Sequence, residues 1–196
     1  YLATAISRYG KRPPPLITTA VLIDVRKYVH NGKAMSAGEF VSVQDIKTAV
    51  KRSGLKSRGI LAGDIVLINT GWSDNYQDPD ETKIYYSSAP GLSYAAAKYL
   101  AEQKVVGVGL DTPFVDAVPS PNATSVERDT SAPESLGFPV HHYFLTQVGV
   151  HTLENFRLVE LVEDSVELSC AMVLPLLSRG SAASPIRPVA IGMPGS

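Results

Sequence analysis

The sequence predicts an α/β fold: a single domain with a central β-sheet core flanked by helices. Three features predict it. Short runs of β-branched and aliphatic residues read as buried strands, amphipathic segments opened by serine read as helices, and the two kinds alternate along the chain. The length of 196 residues suits one domain, large enough to bury a core without staples.

The elements follow in order. "LITTAVLIDVR" (Leu16 to Arg26) is rich in β-branched residues and follows Pro13-Pro14-Pro15, so it reads as a buried strand. "SVQDIKTAVKRSG" opens at Ser42 with Asp45 three positions on, a capping-box pattern. Val43, Ile46 and Val50 share one helical face, and Gly54 ends the helix. "GDIVLINTGW" (Gly63 to Trp72) is a second strand, followed by a polar loop, "DNYQDPDETKIYYSSAPG". "LSYAAAKYLAEQ" is a helix capped by Ser93 that turns Tyr94, Ala97, Leu100 and Ala101 inward. "VVGVGLD" (Val105 to Asp111) reads as a strand buried on both faces. From Thr112 to Pro139 the composition turns to Pro, Ser, Thr, Asn, Asp and Glu, a loop long enough to suggest a lid. "HHYFLTQ" reads as a short helix. "VELVEDSVELSCAMVLPLL" contains a long apolar strand, and "SRGSAASPIRPVAI" gives a small-residue loop and a last strand.

Bulk properties exclude some functions. Apolar residues are 44% and charged residues 19%, a globular balance, and the net charge of −1 comes without a basic run, so nucleic acid is not an expected partner. No apolar run reaches the roughly 18–20 residues that span a bilayer. Cys170 is the single cysteine, which forbids an internal disulfide and is expected to be a buried thiol. The sequon Asn122-Ala123-Thr124 falls in the long loop, and the compartment stays open between cytoplasm and secretion.

Candidate chemistry concentrates in "HHYFLTQVGVHTLENF", His141 to Phe156, which holds three of the four histidines. His142 and Glu154, twelve apart, suit a divalent metal such as zinc or manganese. On the residues alone the favoured reading is the plainer one, a surface histidine at a helix start and a solvated glutamate. His141 and His151 compete for the same roles, and His30 is expected to face water beside its Asn-Gly turn. Asp111 closes a buried strand at the end where α/β proteins place functional groups, followed by Thr112. Asp116, five positions on, reads as a carboxylate holding its own loop. No Gly-rich phosphate loop and no G-x-S-x-G elbow is present.

Six segments in order, "AVLIDV", "GDIVLINTGW", "APGLSYAAAKYL", "VGVGLDTPFVD", "HHYFL…GVHTLENF" and "SPIRPVAI", resemble the cyclase family of metal-dependent hydrolases, which includes arylformamidases and isatin hydrolases. The resemblance runs from about Thr18 to Ile191. It implies a swivelling β/β/α-like fold, a homodimer or homotetramer, and a zinc or manganese cofactor. It also implies that His142 and Glu154 are metal ligands, since the family carries a His and a Glu at that spacing.

Asp111, Thr112 and Trp72 would then shape the pocket for a small-molecule amide, with Tyr76 as further aromatic surface. The family also carries an H-x-G-T-H-x-D-x-P-x-H stretch about thirty residues before its "VLIDV"-like strand. That stretch supplies two His and one Asp as ligands and a His for proton transfer. "YLATAISRYGKRPPP" contains no His and no Asp. The expectation is therefore an N-terminally incomplete single domain, residues 1–196, of an arylformamidase-like amide hydrolase, with its catalytic residue unassigned. The alternative is a metal-free, non-catalytic binding or structural relative on the same scaffold.

Overall fold

The computed structural model describes residues 16–79, 81–125, 127–176 and 183–195. β1 (Leu16–Asp24) leads into the one-turn α1 (Val25–Tyr28). β2 (Phe40–Val41), α2 (Val43–Arg52) and β3 (Ile65–Asn69) follow. Next come α3 (Ile84–Ser87), β4 (Gly91–Leu92), α4 (Tyr94–Glu102) and β5 (Gly107–Leu110). A long connection reaches α5 (Pro139–His142), which runs directly into a π-helix (Tyr143–Val148). β6 (His151–Leu153), α6 (Val159–Glu163), β7 (Leu168–Val173) and β8 (Val189–Gly192) complete the order.

Six strands form one mixed sheet in the order β6-β5-β3-β1-β7-β8. The first four are parallel to one another, while β7 pairs antiparallel with both β1 and β8. The register sets Asp24 beside Asn69, Ile68 beside Leu110 and Gly109 beside Leu153. Four strand ends therefore meet at one edge, and Asp24, Thr70, Asp111 and Glu154 arrive there together.

The helices form where the sequence marks them. Ser42 accepts from the Asp45 N–H while Asp45 accepts from the Ser42 N–H, closing the capping box of α2, and Ser93 accepts from the Ala96 N–H at the start of α4. Ile46 and Ala49 of α2, with Ala96, Ala97 and Leu100 of α4, pack on Val21, Ile23, Val66, Ile68, Val108 and Leu110 of the sheet. The other face buries Ala20, Leu22, Ile65, Leu67 and Ala171 beneath Phe156 and Leu158. Among the described residues no helix is long and apolar enough to cross a membrane.

Several expectations change. The polar loop after β3 contains a 3₁₀ turn over Trp72–Asn75 and the short α3, and "VELVE" is helical, so the apolar strand begins at Leu168. Cys170 is exposed rather than buried. In β7 the inward positions are Ser169, Ala171 and Val173, so Leu168 and Cys170 point outward. His30 is half-buried, with Nε2 3.7 Å from Glu39 Oε1, instead of facing water. Asn122 is exposed in its loop, as its composition suggested.

The small parallel pair β2–β4 has no signature in the sequence. It anchors the long connection, because Leu92 bridges to Asp116 and the Leu92 N–H donates to the Val115 carbonyl at 2.8 Å. A Cβ at Gly91 would stand 2.3 Å from both the Ala117 nitrogen and the Asp116 carbonyl carbon. Those atoms are backbone and cannot swing aside. Gly91→Ala is expected to cost about 1–3 kcal/mol through forced overpacking, read as a lowered denaturant midpoint.

Candidate functional site

The edge formed by the parallel strand ends carries two polar arrangements. The first centres on Asp111, which is fully buried. Its Oδ1 accepts from the Thr70 N–H at 2.9 Å and the Thr70 hydroxyl at 2.7 Å, and its Oδ2 accepts from the Gly71 N–H at 2.9 Å and the Ser73 hydroxyl at 3.3 Å. Burial pushes the carboxyl pKa up, against the hydrogen bonds from Thr70, Ser73 and Gly71. Both oxygens are committed to holding the turn after β3.

Thr112, also fully buried, donates its hydroxyl to the Phe114 carbonyl at 2.6 Å. Trp72 packs with Tyr85 and Ala89, its Nε1 donating to the Tyr85 carbonyl at 3.3 Å. The structure thus buries Asp111, Thr112 and Trp72, with their polar atoms engaged within the protein. Tyr76 is half-exposed and meets Tyr85 edge-on at 5.3 Å. Asp111→Asn would set an amide NH₂ against the Gly71 N–H. The expected loss is about 2 kcal/mol of stability, measured by chemical denaturation.

The second arrangement is a line of three side chains, Asp116, His141 and Glu154. His141 Nδ1 lies 2.6 Å from Asp116 Oδ2, and His141 Nε2 lies 2.8 Å from Glu154 Oε1. Asp116 also accepts the Val140 N–H on Oδ1 at 2.7 Å and the His141 N–H on Oδ2 at 3.0 Å. Glu154 Oε1 accepts the Val115 N–H at 3.1 Å. The Asp116 side chain is 4% exposed, whereas His141 and Glu154 are 25% and 28% exposed. The line therefore runs from the interior to the surface. Burial pulls the His141 pKa down, but hydrogen bonds to Asp116 and then Glu154 outweigh it, and the imidazolium is held up to about 9. Half-exposed Phe138 meets the ring edge-on at 6.0 Å, with Phe114 6.3 Å beyond it.

His142 stands outside this line. It is exposed, and its Nδ1 lies 3.4 Å from Gln147 Nε2. Glu154 thus meets the histidine thirteen positions before it, not the one twelve before. The π-helix between them accounts for this, since its i→i+5 geometry takes up more residues per turn than an α-helix. Asp116, read from sequence as serving its own loop, bonds residues 24 and 25 positions away. Only the pairing of two aspartates after a buried strand hinted at its place. His151 is exposed on the edge strand β6.

As donors to a metal, His141 and Glu154 fit in part. Neighbouring donors on one tetrahedral zinc ion lie about 3.3 Å apart, and these two lie at a hydrogen-bond distance of 2.8 Å at a half-open surface, so they would part slightly to take a metal. Among the described residues, however, no group of three His, Cys, Asp or Glu could hold a metal ion. A cavity of about 190 Å³ lies elsewhere, under Phe156 and Leu158 on the sheet face away from α2 and α4.

Residues 5–117 match the model of the Cyclase family, described as "Putative cyclase"; the match ends one residue after Asp116. No curated protein matches the chain. Among solved structures, a novel cyclase aligns with a TM-score of 0.71 at 22% identity over 89% of this chain and 53% of that one. Isatin hydrolase A from Ralstonia solanacearum aligns with a TM-score of 0.65 at 22% identity over 89% and 60%. A potential metal-dependent hydrolase with cyclase activity gives 0.54 at 24% identity over 89% and 65%. The chain spans between half and two thirds of the length of these structures, and at such identities the likeness is one of fold. More than half of its residues lie within the family model, and on that ground the chain belongs to the cyclase family.

Proposed function

We propose that the chain carries part of the divalent-metal site of an amide hydrolase, with an aryl formamide such as N-formylkynurenine as substrate. The observation that supports this most directly is the 2.8 Å approach of His141 Nε2 to Glu154 Oε1 at the carboxyl ends of parallel strands. In this reading His141 and Glu154, rather than His142 and Glu154, are the donors contributed by this chain. Imidazole with carboxylate suits zinc or manganese. A bound metal would supply Lewis-acid polarisation of the scissile carbonyl and lower the pKa of water to about 7.

The chain's own groups do the rest. Glu154 and His141 hold their positions through Val115 and Asp116. Phe138 and Phe114 offer a flat apolar surface beside the ring, suited to an aromatic substrate. Assembly as a homodimer or homotetramer belongs to the same reading, supported by the exposed apolar side chains Ile17, Leu168, Val189 and Ile191.

A metal-free, non-catalytic relative is the second reading. It is favoured by the lack of a three-donor group among the described residues and by the burial of Asp111, Thr112 and Trp72. Metal analysis and intact mass on protein from its native source, with an N-formylkynurenine assay before and after chelation, separate the two. Stoichiometric zinc or manganese is expected, with hydrolysis lost on chelation and restored by metal. Protein that carries no metal and leaves the formamide intact would establish the second reading instead.

A further inference from the structure

Asp116 stands out because its carboxyl is nearly buried and its partners lie far along the chain. A carboxylate that serves only its own loop bonds N–H groups two or three residues away. Asp116 does not. Its partners are the Val140 and His141 N–H groups and the His141 ring, brought in from across the long connection. The two N–H groups fix the plane of the carboxylate, which leaves the Oδ2 lone pair aimed at Nδ1. With the side chain 4% exposed, water has little access to compete for it.

The backbone of Asp116 is fixed as well. It is bridged to Leu92 and pressed against Gly91, so position passes from β4 through Asp116 to the ring.

We propose that Asp116 is the positioning residue of this site, holding the His141 ring with Nδ1 inward so that Nε2 is the nitrogen presented beside Glu154. The metal role of that nitrogen rests on the function proposed above; the orientation of the ring does not. A histidine that binds metal through one nitrogen commonly donates the other ring N–H to a carboxylate. Loss of that partner typically weakens binding by about 10–100-fold. In the structure the inner nitrogen is engaged by Asp116 and the outer one by Glu154, at a half-open surface where a metal would take the place of the outer proton.

Two readouts on the full chain test this. The first is the imidazole region of the ¹H–¹⁵N spectrum of metal-free protein. A hydrogen bond of 2.6 Å is expected to give a strongly deshielded, slowly exchanging ring proton. It is assigned to His141 by its loss in His141→Gln. The second is zinc affinity by competition with a chelating dye. Asp116→Asn is expected to abolish or shift that proton and to weaken zinc binding about 10–100-fold, with cooperative melting retained.

The proposal is overturned if the wild-type spectrum lacks the proton, or if Asp116→Asn keeps it and binds zinc as tightly as wild type. Should Asp116→Asn fail to fold, the wild-type spectrum decides alone. Should the wild-type chain bind no zinc, the metal reading fails while the ring proton still decides the positioning.

Discussion

Replacing His141 with alanine is expected to weaken zinc or manganese binding by more than about 100-fold, while His142→Ala leaves it within about twofold of wild type. The floor follows from the 10–100-fold loss typical of an outer-shell partner alone, because removing a donor must cost more than removing its support. The contrast between neighbours follows from geometry: His141 Nε2 faces Glu154 at 2.8 Å, whereas His142 is exposed with Gln147 beside it. Isothermal titration of both variants reads the difference directly. Loss of binding in His142→Ala together with retention in His141→Ala would sink the assignment and return the spacing of twelve to authority.

The second large effect is on stability in the absence of metal. Between Asp116 and Glu154 the His141 imidazolium is held up to about 9, against about 6.5 in an unfolded chain. The folded state therefore binds this proton more tightly. Its contribution is complete below pH 6.5 and is lost as pH rises through 9. A shift of that size corresponds to about 3 kcal/mol.

Denaturant unfolding of metal-free protein at pH 6 and pH 9.5 should show wild type losing about 3 kcal/mol more than His141→Gln over that interval. An identical pH response in the two proteins would show that the ring is not charged in the folded state. A corollary concerns the metal, which requires neutral imidazole. Binding near pH 7 should release about one proton, visible as a dependence of the titration heat on the buffer's ionisation enthalpy.

The parts of the fold that were legible in the sequence are those written locally. Ser42 with Asp45, and Ser93 before an alanine-rich run, are cap signals that need no tertiary context, and both helices begin where those residues stand. The continuous apolar run of β5 announced a strand covered on both faces. Cys170 was misread because β7 turns Ser169 inward and Leu168 outward, so its polarity alternates against its burial.

Of the pair read from the spacing, Glu154 lies against His141 rather than His142, so the contact was only half legible. Two adjacent histidines differ in which face of the helix they take, and a non-α backbone decides that. Asp111 and Asp116 looked alike as carboxylates after a strand. One holds the turn after β3 and the other reaches 25 residues forward to a ring, a distinction that only the folded chain makes.

The π-helix over Tyr143–Val148 has a consequence for insertion and deletion. An α-helix built from the same two ends would hold one residue fewer, so this segment carries a spare. Deleting a single exposed position there, such as Gln147, should let the backbone relax to ordinary i→i+4 pairing without dragging the imidazole off its carboxylate. The same deletion in a true α-helix would rotate every following side chain by about 100°. The π-helix has slack in it, and the count of residues between its two polar ends is free to drift while the contact between them stays put.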